Sequence, residues 1–197
     1  MQFTEKEIVL KDGRKAILRS PAENDAEKMI VFLVQSAQET DFLLCYPEER
    51  KMPVGIAEHM LKAVSHSACD MMISCLIDGQ IVGNAQISIK HEIKTRHRAT
   101  LALAVLRAFW GLGIGTALMT EMEKKAETLG IRQLELSYME GNVRAQALYQ
   151  KMGFTVCSEF PDAYRLKNGN MRKEYGMIKY LEKAENQSIS LETIDKF

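Results

Sequence analysis

The segment Trp110–Leu118, WGLGIGTAL, has the residue types and spacing of a loop that binds a phosphate group. Glycines stand at every second position, between an apolar run and a segment with helical periodicity. Glycine lets the main chain adopt positive φ and come close to a ligand. The N–H groups of a first helical turn are unpaired and carry a partial positive charge. The segment therefore predicts an anion site for phosphate or pyrophosphate.

Two common phosphate-binding motifs fit this segment poorly. The P-loop requires a lysine directly after its last glycine, where this chain has Thr116. The dinucleotide fingerprint G-x-G-x-x-G has Thr116 or Leu118 where its third glycine belongs. That fingerprint also follows the first strand of its fold, whereas two predicted hairpins precede this loop. A dinucleotide site is thereby weakened, and a tight turn without a ligand stays open as another interpretation.

A second motif, NVRAQALYQKMGF, covers Asn142–Phe154. Its apolar residues recur with helical spacing, and asparagine is among the best residues to begin a helix. Tyr149 lies on the apolar stripe, so its simplest role is that of a core residue. A buried tyrosine hydroxyl nevertheless needs a hydrogen-bond partner, which makes Tyr149 a candidate for chemistry as well.

Together the two motifs resemble the signatures of the GNAT superfamily of N-acetyltransferases. The glycines match the first signature, [QR]-x-x-G-x-[GA], with Trp110 in place of the leading Gln or Arg. The second, N-x-x-A-x-x-L-Y-x-x-x-G-F, is matched by Asn142, Ala145, Leu148, Tyr149, Gly153 and Phe154. The resemblance covers roughly residues 70–180. It implies an α/β fold with a mixed, mostly antiparallel central sheet flanked by helices, and a parallel strand–helix–strand unit at the cofactor site.

The resemblance also implies an activity, the direct transfer of an acetyl group from acetyl-CoA to a primary amine in a ternary complex. Tyr149 would be the catalytic acid that protonates the leaving thiolate, and the main-chain N–H of Val105 would polarise the thioester carbonyl. The implied cofactor-binding residues are Leu103, Ala104, Val105, Gly111, Leu112, Gly113, Ile114, Gly115, Thr116, Asn142 and Tyr149.

A general base is expected, because an alkyl amine with a pKa near ~10.4 must lose a proton before it attacks. Some relatives carry a glutamate where this chain has Ser137, which cannot serve. His91, Glu92 and His97, just ahead of the apolar strand, or a water molecule are the candidates.

The identity of the acceptor is open. By resemblance, the acceptor lies near residues 38–53 and 159–175, whose mixed charges do not select one amine. Two other functions also stay open: a non-catalytic acyl-CoA sensor on the same fold and, less strongly, a nucleotide-linked oxidoreductase.

Composition excludes several partners. The chain has 26 basic and 26 acidic residues, so it has no charge excess for nucleic acid or an anionic membrane. It contains no apolar run of the ~18 to 20 residues that span a bilayer, and the N-terminus lacks a signal-like apolar segment. The four scattered cysteines predict free thiols in the cytoplasm and no metal site. A homodimer is suggested only by the resemblance.

Periodicity predicts the elements that carry these motifs. Asp-Gly turns at 12–13 and 78–79 mark two hairpins, with two helices between them. The apolar run ATLALAVL predicts a strand buried on both faces, and the segment after the glycines is a helix that ends at Gly130. Strand, helix and strand follow. We expect one domain over 1–181 and a polar tail or short peripheral helix over 182–197.

Overall fold

A computed structural model describes residues 1–181, so the predicted tail at 182–197 lies outside the described residues. The strands are β1 (Lys6–Val9), β2 (Lys15–Arg19), β3 (Asp70–Ile77), β4 (Gln80–Ile89), β5 (Arg98–Val105), β6 (Gln133–Met139), β7 (Thr155–Arg165) and β8 (Met171–Tyr180). The α-helices are α1 (Ala26–Gln38), α2 (Val54–His66), α3 (Ile114–Thr128) and α4 (Val143–Lys151).

The strands form one sheet in the order β1-β2-β3-β4-β5-β6-β8-β7. Every neighbouring pair is antiparallel except β5 and β6, which are parallel. The two Asp-Gly turns allow tight antiparallel hairpins, whereas a parallel pair needs a long crossover, which α3 provides. The predicted fold class, a mixed and mostly antiparallel sheet with one parallel unit, is confirmed.

The parallel pair separates after a short contact. Only three residue pairs join β5 to β6, from Arg98 with Gln133 to Thr100 with Glu135. Beyond that point β5 stays paired with β4 up to Val105, and β6 stays paired with β8 up to Met139. A wedge therefore opens in the middle of the sheet, between two strands that each keep one partner.

Two apolar cores cover the two faces of the sheet. The consecutive residues Cys75 and Leu76 belong to different cores, as the alternation of side chains along a strand requires. The α3 stripe, with Ile114 and Leu118, is buried in one core, and the stripe of α1, with Met29 and Phe32, is buried in the other. The predicted helical faces are therefore the buried faces.

Three segments differ from the form that the sequence indicates. The segment before α2 contains a 3-10 turn over Pro47–Arg50, and β7 and β8 are each longer than their apolar patterns. Most side chains of β7 are exposed, because it is an edge strand. Edge strands are often polar, so hydrophobic alternation gave little signal there.

Asp25 precedes α1, as a cap residue would, but its carboxylate does not cap that helix. Both of its oxygens accept hydrogen bonds from the guanidinium of Arg19, at 2.6 and 2.8 Å, and one also accepts from the N–H of Ala22 at 2.8 Å. Asp25 is only 3% exposed. The pair therefore joins the end of β2 to the start of α1.

We predict that Asp25→Asn lowers the free energy of unfolding by roughly 3 kcal/mol, because it leaves Arg19 with an uncompensated charge. Arg19 lowers the pKa of Asp25 below its ordinary value of 3.8, so the ionised form is favoured in the fold. The stabilisation is thus present above that value and is lost as the pH falls below it. Urea unfolding at several pH values measures both effects.

The control is Glu7→Gln, whose partner Lys15 is exposed. This variant should change stability little, since exposed ion pairs contribute little. An equal loss in both variants, or an Asp25→Asn loss that persists unchanged in acid, would contradict the assignment.

Candidate functional site

A cavity of about 840 Å³ occupies the wedge between β5 and β6. Its walls are residues 100–105 of β5 and 137–139 of β6, together with the glycine loop and α4. The segment that follows α1 and residues of β7 and β8 line it as well. The separation of two strands thus creates a cleft that reaches the sheet's own main chain.

The predicted site residues converge on this cavity, although the chain separates them by up to some forty positions. The exception is Leu112, which does not line the cavity. Its side chain packs against the core, and its carbonyl oxygen accepts a hydrogen bond from the N–H of Lys11 at 3.2 Å. Leu112 therefore fixes the loop to the β1–β2 turn, and its role in cofactor binding stays a prediction.

The main-chain groups of β5 alternate between β4 and the wedge. The N–H of Leu106 donates to Val82 O at 2.9 Å, and the N–H of Lys90 donates to Arg98 O at 3.0 Å. In this antiparallel register the even-numbered residues of β5 therefore bond to β4, and the N–H groups of Leu103 and Val105 face the wedge. Ala104 lines the cavity, but its main-chain groups form hydrogen bonds with β4. Only its side chain is therefore available for a contact with a cofactor.

The glycine loop ends as the N-terminus of α3. Gly113 has φ 95° and precedes the first helical residue, Ile114. The first internal hydrogen bond of the helix is from the N–H of Ala117 to Gly113 O, at 2.9 Å. The N–H groups of Ile114, Gly115 and Thr116 therefore have no helical acceptor, and all three residues line the cavity.

Two basic side chains stand beside this helix end. Lys11, in the β1–β2 turn, and Arg144, in the first turn of α4, both line the cavity. The Arg144 guanidinium lies over the Trp110 ring, 4.9 Å from its centroid. Neither could be selected from sequence, because each is an ordinary basic residue far along the chain from the glycines. Together with the helix end they form a positively charged pocket.

Trp110, which replaces the usual Gln or Arg of the motif, fixes the loop to the strand before it. Its indole Nε1 donates to Val105 O at 2.7 Å. This bond gives Val105 O a partner. The N–H of Val105, on the same edge of β5, still faces the wedge. A large aromatic residue thus holds the glycines close to the end of β5.

The second motif forms α4, as predicted. Asn142 caps the helix, because its side-chain oxygen accepts from the N–H of Ala145 at 3.2 Å, and Asn142 also lines the cavity. Tyr149 is 7% exposed, lines the cavity and packs between the rings of Tyr138 and Phe154. Burial raises the pKa of Tyr149 to about 12. Its hydroxyl therefore stays protonated throughout the neutral and mildly alkaline range.

The predicted candidates for the base lie elsewhere. His91, Glu92 and His97 are exposed in the β4–β5 connection and do not line the cavity. That connection leads into the amino end of β5, whereas the cavity lies towards its carboxyl end.

Two carboxylates that were not predicted line the cavity, those of Glu39, after α1, and of Glu174, on β8. Glu174 Oε1 accepts hydrogen bonds from Ser137 Oγ at 2.6 Å and from Tyr164 OH at 2.7 Å. Ser137 thus stands where relatives carry a glutamate, and in this chain it holds a glutamate from the neighbouring strand. The sequence does not show that β6 and β8 are neighbours in the sheet, so it could not place Glu174 beside Ser137.

The sequence model described as "Acetyltransferase (GNAT) family" matches residues 35–154, which is more than half of the chain. The chain belongs to the GNAT acetyltransferase family. This match contains the glycine loop, the wedge and α4 in full.

Two curated relatives match parts of this GNAT chain. "L-amino acid N-acetyltransferase AaaT" of Escherichia coli is 28% identical over 109 residues, which are 55% of this chain and 66% of that protein. The uncharacterized protein YdhI of Bacillus subtilis is 41% identical over 51 residues, which are 26% of this chain and 32% of that protein. Each match covers less than two thirds of the relative's length.

Solved structures share the fold over most of the chain. A GNAT acetyltransferase from Streptococcus pneumoniae has a TM-score of 0.79 and 25% identity, with coverage of 84% of this chain and 99% of that one. The yncA protein of Salmonella typhimurium, solved with its cofactor acetyl-CoA, has a TM-score of 0.73 and 16% identity, with coverage of 88% and 98%. The second likeness shows the fold alone.

No helix within residues 1–181 is both long and apolar enough to cross a bilayer. No group of three or more His, Cys, Asp or Glu side chains within the same residues is arranged to hold a metal ion.

We predict that Gly113→Ala weakens coenzyme A binding by about tenfold. A loss of this size corresponds to one hydrogen bond to a charged group. The matched control is Gly79→Ala in the β3–β4 turn, where φ is 75° and space is open. Both substitutions impose positive φ on alanine and should lower stability by about 1 kcal/mol. Calorimetric titration and urea unfolding measure the two quantities. Equal affinities in the two variants would contradict an anion-binding role for the loop.

Proposed function

We propose that this protein is an N-acetyltransferase that moves the acetyl group of acetyl-CoA directly to a primary amine bound in the same cavity. The observation that carries the proposal is that three parts meet in one cavity. They are the unpaired helix end of α3, the exposed main chain of β5 and the buried hydroxyl of Tyr149.

The residues present suit the donor in two places. The N–H groups of the first turn of α3, with Lys11 and Arg144, supply positive charge for a pyrophosphate. The wedge-facing N–H groups of Leu103 and Val105 can pair with an extended amide chain, as a strand edge pairs with an added strand. We propose that this edge holds the pantetheine arm.

Acetyl-CoA supplies an activated thioester whose carbonyl carbon the amine attacks. Transfer forms a C–N bond and breaks a C–S bond, so an ammonium acceptor must lose two protons and the sulfur must gain one. The N–H of Val105, preorganised by the strand, donates to the carbonyl oxygen as negative charge develops there. We propose that Glu174 accepts the first proton from the acceptor nitrogen, and solvent accepts the second.

Tyr149 is the proposed proton donor to the sulfur. Its raised pKa keeps the hydroxyl protonated, which is the form that donates. A hydrogen bond from this hydroxyl stabilises the thiolate as the C–S bond breaks, and the proton passes to the sulfur. Solvent then returns a proton to Tyr149, and Glu174 releases to solvent the proton that it took from the acceptor.

We predict that acetyl-CoA binds the protein and that NAD neither binds nor displaces it. Calorimetric titration with acetyl-CoA, and with NAD in competition, tests this directly. A second arm measures free thiol in the presence of an amine panel. Absence of acetyl-CoA binding would refute the acetyltransferase, and binding without thiol release for any amine would favour the acyl-CoA sensor.

We predict that Tyr149→Phe lowers kcat by roughly 100-fold while acetyl-CoA affinity changes little, because only proton donation is lost. The control, Tyr180→Phe, removes a hydroxyl from an exposed tyrosine outside the cavity and should leave kcat unchanged. Because ionisation of Tyr149 falls near pH 12, the wild-type rate should show no loss from this group between pH 7 and 10. An unchanged kcat in Tyr149→Phe would remove Tyr149 from the acid role.

A further inference from the structure

Arg50 contributes a positive charge at the end of the cavity where we expect the acceptor, called here the acceptor end. Its side chain lines the cavity beside the segment that follows α1. Its Nε is buried and has no hydrogen-bond partner among residues 1–181. An unpaired buried donor on a charged group is costly, so it calls for a partner that the chain itself does not provide.

Arg50 belongs to a turn that is held by hydrogen bonds. It is the last residue of the 3-10 turn that begins at Pro47, in which the N–H of Tyr46 donates to Glu49 Oε2 at 2.7 Å. The hydroxyl of Tyr46 accepts from the N–H of Lys167 at 2.9 Å, and Lys167 also pairs with Glu48. The turn that carries Arg50 is therefore fastened to the β7–β8 hairpin.

Glu174 provides the opposite charge in the same cavity. Ser137 and Tyr164 both donate to its Oε1, and its Oε2 accepts no hydrogen bond from the residues that the structure describes. An ammonium group has three donors and no acceptor, so it suits this carboxylate oxygen. Glu174 thus offers a carboxylate to a cation in the same cavity in which Arg50 offers a guanidinium to an anion.

We propose that Arg50 binds the carboxylate of the acceptor while Glu174 binds its amine, so that the acceptor is a free α-amino acid. This inference rests on the proposed acetyltransferase function and names its substrate class. A guanidinium binds a carboxylate with two parallel hydrogen bonds, and its planar fork makes that geometry specific. A peptide N-terminus or a polyamine offers no carboxylate next to its amine.

The other residues at this end indicate the side chain of the acceptor. The cavity is also lined by the apolar side chains of Phe42, Leu43 and Leu44, and Leu44 is 77% exposed. Large exposed apolar side chains at a cavity mark a surface that a ligand covers. We therefore expect amino acids with apolar side chains, such as leucine, methionine and phenylalanine.

The test compares each of these three L-amino acids with its amide and with the amine that lacks the carboxylate. With acetyl-CoA present, the amino acid should have a KM roughly 10- to 100-fold lower than either analogue. Arg50→Gln should raise the KM of the amino acid by that factor and leave the analogues unchanged. Arg50→Lys should restore only part of the loss, because an ammonium cannot form the two parallel bonds.

The control is Arg165→Gln, which removes an exposed guanidinium outside the cavity and should change no KM. Melting temperatures of both variants verify that they are folded, and acetyl-CoA affinity should be the same in both. A loss of acetyl-CoA affinity in Arg50→Gln would assign Arg50 to the donor and overturn the inference.

A binding measurement keeps this inference separate from the proposed function. Protein saturated with coenzyme A is titrated calorimetrically with L-leucine, L-methionine and L-phenylalanine and with their amides. Carboxylate-dependent binding that Arg50→Gln abolishes supports the inference even if transfer is slow. Efficient transfer to amines irrespective of a carboxylate, or no binding of any of the three amino acids, overturns it while leaving the acetyltransferase intact. Failure of acetyl-CoA itself to bind would instead refute the proposed function.

Discussion

The rest of the site depends on the separation of β5 from β6 after three residue pairs. Main-chain N–H and C=O groups inside a sheet require partners, and a strand edge in the middle of a fold is costly without them. Here the edge of β5 at Leu103 and Val105 opens towards a cavity, and Val105 O accepts a hydrogen bond from the Trp110 indole. The open edge is thus both a structural cost and a ready set of donors for a ligand that runs alongside it.

Charged side chains are unevenly distributed around the cavity, although the chain as a whole has no net charge. Positive groups collect at one end, where Lys11 and Arg144 stand beside the N-terminus of α3. At the other end Glu174 faces the cavity, and Arg50 is held by a turn that is fastened to the β7–β8 hairpin. Between them Tyr149 is buried among aromatic rings. In the function that we propose, the first end receives the phosphorylated donor and the second receives the acceptor.

The parts predicted well from sequence are those that depend on near neighbours along the chain. The helix cap at Asn142, the positive φ of Gly113 and the buried face that includes Tyr149 follow from residue type and helical spacing. Leu112 does not line the cavity, because the motif marks a stretch of loop but not which residues of it point inward. Ala104, predicted to bind the cofactor, has its main chain bonded to β4, since hydrogen-bonding direction alternates along a strand.

The sequence by itself predicted the fold class, through the family that its two motifs resemble, and the helix that carries Tyr149. The helix and its buried face are encoded in local periodicity, and the anion-binding role of the glycine loop stays a prediction. Only the tertiary structure decided which charged residues meet at the cavity, because Lys11, Arg50 and Glu174 are separated by long stretches of chain and carry no distinguishing local signal. Strand order and the fastening of one loop to a distant hairpin bring them together. Those contacts leave His91, Glu92 and His97 outside the cavity and place on its wall Glu174, the base that we propose.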